Sequence, residues 1–594
     1  MSKVIVFATP VFFLLIAIEL AWGRFKGRNT YTLSDTINSI GLGMLSQLTG
    51  VFMRLLRVGL YAAVFSSVAL WRNDAFWMSW AGWLVALVFY DLCYYWLHRL
   101  GHESAVLWAA HVVHHQSQSY NLSTALRQTS SGALLGWVFY LPMALAGVPP
   151  LVFGTVALID LLYQFWVHTE YVPKLGWFDR WFCSPSNHRV HHAVNEQYLD
   201  RNYGGILIIW DRIFGSFEEE GEPCVYGTRK PLNSWDPLWA NAEVYWTLLQ
   251  ASWQAPGWGD KLRVWFKPPG WQSAQMAAAA PQQPFDLKQV QTFDPPTPRK
   301  VQWFALAQFV ALLGGVTGFL WVADSTPLSD MAVWLAVLCA GLWAVGAVLQ
   351  GRISPLQALI IESAALTTAF AALDMTEEHR IFKPLTLLLA LLFVAFEGHS
   401  AKAALPMSRS RQLLLAALAC SLAGDVLLMF PGHFVPGLLA FLVGHLFYIA
   451  LFRQGVNWFP SPRALACTLG YGAAMYGFLF AFLPAGLRLP VAAYVLVIAL
   501  MAAQAIGRAA VLQSRASWWV ATGALLFMAS DSLLAINRFA VPLAVWDIVA
   551  SFWILATYYT AQILIATNAL ISSAPAQIHS ENRAPSAFGG ATPR

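Results

Sequence analysis

The sequence is poor in charge. Lys and Arg number 36 and Asp and Glu 31, together 11% of 594 residues, where soluble domains carry roughly 25%. Set beside an apolar fraction of 58%, that deficit excludes an ordinary water-soluble enzyme. It also excludes a disordered chain, which combines low hydrophobicity with high charge. Cysteine is scarce as well. Cys93, Cys183, Cys224, Cys339, Cys420 and Cys467 show no CxxC or paired spacing, which argues against a disulfide framework and a thiolate metal site. The formal charge of +5 is small and spread out, and the lack of a basic stripe argues against nucleic acid as a partner. What remains is an all-α integral membrane protein built from long apolar runs.

The first such run, Val4 to Trp22, is followed by Arg24, Lys26 and Arg28. It is too long for a signal-peptide core and lacks a small-x-small cleavage site, so it reads as a retained span with its C-terminal end cytoplasmic. Ile40 to Leu70, interrupted by Arg54 and Arg57, reads as one long or broken span. Trp77 to Leu97, Gly132 to Val148 and Leu151 to His168 each approach the ~20 residues that cross a bilayer core. From Glu170 to Lys300 the chain turns polar and then Pro-rich, as a linker or irregular extramembrane cap does. Further apolar blocks begin near Gln302, Met331, Pro355, Phe382, Arg411, Phe434, Ala464, Leu489, Ser517 and Leu543. The expected organisation is a first membrane unit with cap and linker over 1–300, connecting transmembrane helices over 301–373 and a second helical bundle over 374–570. An Ala/Ser/Pro/Arg-rich tail, 571–594, is expected to be disordered.

Histidine is what the chain has in one place. Nine of its 14 histidines fall between His98 and His192: His98 and His102, then His111, His114 and His115, then His168, then His188, His191 and His192. On a helix, residues four apart share a face, so His98 with His102, His111 with His115 and His188 with His192 can each serve one ion. The middle members, His114 and His191, can serve a second. Parity supports convergence: if the third span ends at His98, the fourth leaves and the fifth returns, so His168 emerges on the same side, which the basic residues mark as cytoplasmic. Imidazole-rich sites suit Zn, Cu, Fe or Ni. Eight or nine donors exceed the four of a tetrahedral zinc, so two ions are expected. An apolar substrate space favours an oxygen-activating di-iron centre over a hydrolytic pair, because lipid C–H bonds require O₂ chemistry. Asp91, two helical turns before His98, either holds an imidazole tautomer or packs with Tyr94 or Tyr95. Glu103 and Glu170 either orient a histidine or bind iron, and Glu170 is equally read as an exposed interface carboxylate.

The pattern HxxxH…HxxHH…HxxHH resembles the fatty acid hydroxylase/sterol desaturase superfamily of membrane di-iron enzymes. Flanking words narrow the resemblance to its alkylglycerol monooxygenase branch: His114-His-Gln-Ser, Tyr120-Asn-Leu-Ser-Thr-Ala-Leu-Arg-Gln128, Tyr163-Gln-Phe-Trp-Val-His-Thr-Glu170, Pro185-Ser-Asn-His-Arg-Val-His-His192 and Asn202-Tyr-Gly-Gly-Ile-Leu-Ile-Ile-Trp-Asp-Arg-Ile-Phe-Gly215. The resemblance implies two Fe ions, a membrane lipid substrate and O₂. It also implies oxygen insertion beside an ether oxygen, giving a hemiacetal that falls apart to a fatty aldehyde and glycerol. Glu103 matches a glutamate important in that branch. Members similar to the animal enzyme use tetrahydropterin, other branches use other donors, and no residue here marks a pterin pocket. The electron donor therefore stays open between a pterin and a redox protein. The alternative reading keeps the iron and changes the lipid, to a sterol, carotenoid or fatty-acyl chain that is hydroxylated or desaturated.

In the second bundle, charges inside apolar runs are candidates because each costs roughly 2.5–3.5 kcal/mol at mid-membrane. They are Lys383, Glu397, Asp425, His445, Asp531 and Asp547, with Asn537 and Gln562 nearby. Lys383, Glu397 and Asp547 sit near span ends, where snorkelling is the competing reading. Lys383-Pro-Leu385, Gly424-Asp425, Gly444-His-Leu-Phe-Tyr448, Ser530-Asp531 and Tyr558-Tyr-Thr-Ala-Gln562 resemble the YhhN family, which includes lysoplasmalogenases. That resemblance implies vinyl-ether hydrolysis with release of an aldehyde, with one carboxylic acid protonating the enol-ether carbon and a second carboxylate activating water. The competing reading is a lipid-binding anchor without catalysis.

Overall fold

The computed structural model describes residues 2–279, 285–397, 408–540 and 547–571. Among them regular structure is helical, and the only β features are two isolated bridges, Phe182 with Leu207 and Ala193 with Tyr226. Eleven described helices are long and apolar enough to cross a membrane, so the chain is a multi-pass integral membrane protein. All six cysteines are free. The chain divides into two compact units, Met1–Glu362 and Ser363–Arg594.

In the first unit the decisive element is the helix Trp80–Glu103, opened by Ser79, whose hydroxyl accepts from the Gly82 amide. Its 24 residues extend about 36 Å and deliver His98 and His102 at the far end. The segment expected as one long or broken span is broken: helix Leu33–Phe52, a π-turn Leu55–Gly59 and helix Leu60–Val68. Leu45 and Leu48 of the first piece share a core with Phe309 and Val316 of helix Arg299–Val322 and with Leu342 and Val345 of helix Leu328–Leu349.

The spans expected at Gly132–Val148 and Leu151–His168 are shorter than a usual crossing. The first is Gly132–Gly136, a 3₁₀ turn Trp137–Tyr140 and Leu141–Ala146; the second is Pro150–Trp166. Each extends about 25 Å, below the ~30 Å hydrocarbon core. Gly147, in the left-handed region at φ 91°, ends the first helix, and Pro150 sets the first turn of the next. His168 nonetheless reaches the imidazole cluster, with its ring against His114, His188 and His192.

The polar stretch after Glu170 carries the remaining site helix, Pro185–His192, started by Ser184 as N-cap and Pro185 at the first position. Arg189 fixes it with two hydrogen bonds of 2.7 Å to Glu220 and with bonds to the Thr169 and Val172 carbonyls.

In the second unit, each apolar block read from Phe382 onward holds a helix among the described residues, and the start of the last block, near Leu543, lies outside them. Helix Arg409–Leu428 lies against Phe434–Phe452, and Arg515–Ala535 against Asp547–Asn568. A Cβ on Gly424 would stand 2.5 Å from Phe441 Cδ2, so the first pair can approach only because that position is glycine. Leu414, Leu418, Tyr448, Phe452, Met501 and Phe527 form the core. The expected disordered tail, from residue 572 onward, lies outside the described residues, as do the side chains of Glu397 and Asp547.

Candidate metal centre and a second polar cavity

All nine predicted imidazoles converge, and they sort into two groups. His98, His102, His111, His115 and His191 form one; His114, His168, His188 and His192 form the other, and within each group the donor atoms lie within 4.8 Å of one another. The middle histidine of each HxxHH word crosses into the group its neighbours do not occupy. Both words therefore serve both groups, and the rings of His115 and His192 stack at 4.3 Å where the groups meet.

Backbone carbonyls orient the rings from behind. His98 Nδ1 donates to Tyr203 O at 2.7 Å, His114 Nδ1 to Arg127 O at 2.9 Å, His168 Nδ1 to Gln164 O at 2.8 Å and His191 Nδ1 to Arg201 O at 3.0 Å. A carbonyl only accepts, so these Nδ1 atoms carry the proton and each neutral ring turns a bare Nε2 lone pair inward. His114 Nε2 and His168 Nε2 then face each other at 3.2 Å with no proton between them. Among the described residues the buried Nε2 atoms of His102 and His191 have no hydrogen-bond partner.

Burial opposes relieving this arrangement by protonation. It lowers the His114 pKa to about 4 and pushes His111, His115, His188, His191 and His192 well below the ordinary imidazole range, with the neighbouring rings adding to the effect. Converging neutral lone pairs call for a bound cation, and imidazole donors fit a transition metal. Ligands about 2.1 Å from one ion stand about 3.0 Å apart at right angles and about 3.4 Å apart at tetrahedral angles. The Nε2–Nε2 contacts between His98 and His111, His111 and His115, His168 and His188, and His188 and His192 measure 3.1–3.2 Å. The residues fit the group.

The carboxylates read from sequence do not touch the rings. Asp91 sits about 10 Å along the helix from His98, too far to hold a tautomer directly. Instead it accepts from Ile206 N at 2.7 Å, Leu207 N at 3.0 Å and Trp210 Nε1 at 2.9 Å, anchoring the loop whose Tyr203 carbonyl holds His98. A Cβ on Gly205 would stand 2.9 Å from the Asp91 carboxylate and 2.8 Å from that of Asp160, so only glycine lets the loop come this close. Glu103 is 40% exposed and receives Arg99 Nε at 2.9 Å. Glu170 pairs with Arg28.

Other supporting residues escaped the sequence reading. Arg127, 1% exposed, donates to Val113 O at 2.7 Å and Asn38 Oδ1 at 2.8 Å while its own carbonyl orients His114. Burial lowers its pKa to about 10, and nearby Asp35 opposes the shift. Asp200, at φ 56°, stands 3.4 Å from His102 Nδ1. Asp211 accepts from the amides of Tyr203 and Gly204 at 2.8 and 2.7 Å, a second anchor for the same loop. The one available signal was the turn-prone Asp200-Arg-Asn202 before Tyr203-Gly-Gly, where Asp and Asn tolerate positive φ.

The second unit encloses a cavity of about 250 Å³ whose lining includes Lys383, Asp425 and Asp531. Lys383 Nζ lies 3.5 Å from Asp425, which also accepts from Tyr558 OH at 2.7 Å. Gln562 donates to Tyr558 OH at 3.3 Å and accepts from Tyr448 OH at 2.7 Å. Tyr494 OH donates to Asp531, and His445 Nε2 lies 3.0 Å from that hydroxyl and 3.9 Å from the carboxylate. Leu428, Phe441, Ile498 and Met528 supply apolar wall. Lys383, Asp425, His445 and Asp531, scattered over 149 positions of sequence, are thus one constellation.

Converging histidines at the end of membrane helices define a helical membrane metalloprotein, and residues 83–216 match the model of the Fatty acid hydroxylase family. Residues 378–569 match that of the YhhN family. Alkylglycerol monooxygenase of Homo sapiens is 41% identical over 266 residues, 44% of this chain and 59% of that protein. The same-named protein of Danio rerio is 38% identical over 338 residues, 55% of this chain and 73% of that protein. Lysoplasmalogenase TMEM86B of Homo sapiens is 37% identical over 170 residues, 29% of this chain and 69% of that protein. The chain belongs to the alkylglycerol monooxygenase family and carries a YhhN-family region as its C-terminal part. It spans 59% of the length of the human alkylglycerol monooxygenase. No solved structure matches it. With the family and the all-imidazole donor groups together, the centre is a non-haem iron site.

Proposed function

We propose that the first unit is an O₂-dependent di-iron monooxygenase that cleaves the alkyl ether of alkylglycerol-type lipids, with its iron site on the cytoplasmic face. The supporting observation is the sorting of nine imidazoles into two donor groups, one for each ion. Bound iron supplies the oxidation of the C–H bond beside the ether oxygen. The balance is one O₂, two electrons and two protons per ether, giving water and a hemiacetal that collapses to a fatty aldehyde and glycerol. The electrons come from a tetrahydropterin or a redox protein. The chain's own residues hold the donor set: the carbonyls of Tyr203, Arg127, Gln164 and Arg201 keep four Nδ1 atoms protonated and their Nε2 atoms free. Asp91 and Asp211 hold the Tyr203 loop, and Glu103 with Arg99 closes the last turn of its helix. The test is product analysis with ¹⁸O₂ and an alkylglycerol. Label in the aldehyde or its hydrate is expected; a stable hydroxylated lipid with no aldehyde would favour a sterol, carotenoid or fatty-acyl hydroxylase.

The second unit, in the same reading, hydrolyses the vinyl ether of a lysoplasmalogen. Asp531 lies at the end of a chain in which His445 Nε2–H donates to the Tyr494 oxygen and Tyr494 O–H donates to Asp531. In this reading protonated Asp531 is the acid: it gives its proton to the enol-ether carbon and takes one back from water. Asp425, held by Lys383 and Tyr558, takes the proton of the attacking water. Release of aldehyde from an alkenyl lysophospholipid without O₂ tests this step.

A further inference from the structure

The cavity of the second unit carries a cation that the hydrolytic step does not use. Of the charged side chains on its wall, Lys383 is engaged with Asp425, and Asp531 with the Tyr494–His445 chain. Arg538 also lines the cavity. Its guanidinium rests over the Phe434 ring at 4.3 Å, and among the described residues it makes no ion pair or hydrogen bond. An aromatic ledge beneath a guanidinium fixes the fork while leaving its N–H edges free, and that fork matches phosphate oxygens.

Spacing makes the position meaningful. Arg538 follows Asp531 by seven residues on helix Arg515–Ala535 and the π-turn Ile536–Ala540 that continues it, which separates their backbones by about 10 Å. In a 1-alkenyl glycerophospholipid seven bonds separate the vinyl carbon that takes the proton from phosphorus, roughly 8–9 Å when extended. A lipid whose protonated carbon sits at Asp531 therefore brings its phosphate within reach of the Arg538 side chain, and its hydrocarbon tail meets the apolar wall.

We propose that Arg538 is the specificity-determining residue of the second unit, binding the headgroup phosphate of its lipid and selecting lysophospholipids over neutral alkenylglycerols. The proposal rests on the vinyl-ether reading of this cavity.

The test uses the full-length protein in detergent without added reductant, with 1-alkenyl-glycerophosphocholine and 1-alkenylglycerol of equal chain length as substrates. Wild type is expected to favour the phospholipid in kcat/KM. Arg538→Gln is expected to cut that preference about tenfold or more, the size of one charge-assisted hydrogen bond, chiefly through KM, and Arg538→Lys is expected to restore part of it. A wild-type protein without preference, or an Arg538→Gln variant that lowers both substrates in proportion, overturns the proposal. Competition needs no variant: 1-alkyl-glycerophosphocholine must displace a bound fluorescent lipid more strongly than 1-alkylglycerol, and inorganic phosphate must not. Equal displacement by the two lipids overturns the proposal, and strong displacement by inorganic phosphate overturns it in favour of a free-anion site. Hydrolysis of neither substrate overturns the vinyl-ether reading instead, while the displacement ranking still reports on phosphate recognition.

Discussion

Replacing Asp91 by Asn tests whether the iron site is held from a distance. The side chain keeps its size, so only the acceptor count changes. Asp91 Oδ1 accepts from Ile206 N, and Oδ2 from Leu207 N and Trp210 Nε1. An amide has one acceptor oxygen. Turned to keep Leu207 and Trp210, it presents its NH₂ to the Ile206 amide and leaves a buried donor unpaired, at a cost of about 1–3 kcal/mol. The two surviving bonds drop from the charged to the neutral range, about 1 kcal/mol each. The sum is roughly 3–5 kcal/mol, concentrated in the loop whose Tyr203 carbonyl orients His98. Loss of a group supporting a ligand ring typically costs 10–100-fold in metal affinity, and that is the range expected for Asp91→Asn. Metal content after graded chelator dialysis, on protein with a wild-type size-exclusion profile, reads it out. A folded variant that keeps its metal and turnover within twofold would refute the argument and leave Asp91 as a packing residue.

Because the imidazoles form two groups, His98→Ala and His114→Ala should each lower the iron stoichiometry from about two toward one by elemental analysis; loss of neither ion would dissolve the two-group picture. For metal-stripped protein, His114 titrates at about 4 when folded against ~6.5 unfolded. The unfolded chain takes up the proton first, so the stabilisation is complete above pH 6.5 and is lost as pH falls toward 4, by roughly 3 kcal/mol for this ring alone. Thermal unfolding of stripped protein between pH 7 and 4.5 should show a falling midpoint, and a flat profile would contradict buried neutral imidazoles. In the second unit, Asp425→Asn and Asp531→Asn should each slow vinyl-ether hydrolysis by about 10²-fold or more, measured as aldehyde release; undiminished activity would make the unit a lipid-binding anchor.

The nine imidazoles and the polar side chains Lys383, Asp425, His445 and Asp531 were legible in the sequence, whereas the side chains of Arg127, Asp200, Asp211 and Arg538 were not. The i, i+4 spacing within HxxxH and HxxHH, and the exclusion of each middle histidine, follow from helical geometry and hold ring by ring. Isolated polar letters in apolar runs likewise marked Lys383, Asp425, His445 and Asp531. Much of the support was not legible because one partner in each contact is main chain. Four rings are oriented by the carbonyls of Tyr203, Arg127, Gln164 and Arg201, and every residue type offers the same carbonyl. Asp91 misleads for the same reason: its heptad spacing from His98 is real, yet its partners are the amides of Ile206 and Leu207. Asp160, two turns before His168, passed as part of an apolar run although it is buried beside Gln164 and accepts from its amide at 2.6 Å. The two short helices were over-read because apolar length alone does not register a 3₁₀ turn or a left-handed glycine cap such as Gly147.

On the reading proposed for the two units, their ethers differ in oxidation level, and their equipment differs accordingly. The carbon beside the oxygen of an alkyl ether is at the alcohol level, so reaching an aldehyde removes two electrons from an unactivated C–H bond. No arrangement of acids and bases supplies that, and the first unit accordingly gathers nine imidazoles that fit redox metal ions. A vinyl ether is already at the aldehyde level. Proton donation to one carbon and water addition to the other give the same kind of hemiacetal and the same kind of product without any net oxidation. Lys383, Asp425, Asp531, His445 and Tyr494 meet that demand, and among the described residues the metal-capable donor groups all lie in the first unit. If the oxidation-level argument holds, removing O₂ and chelating iron should abolish aldehyde release from alkylglycerol and leave release from the alkenyl lipid intact in the same preparation. Parallel loss of both would show that one centre serves both bonds.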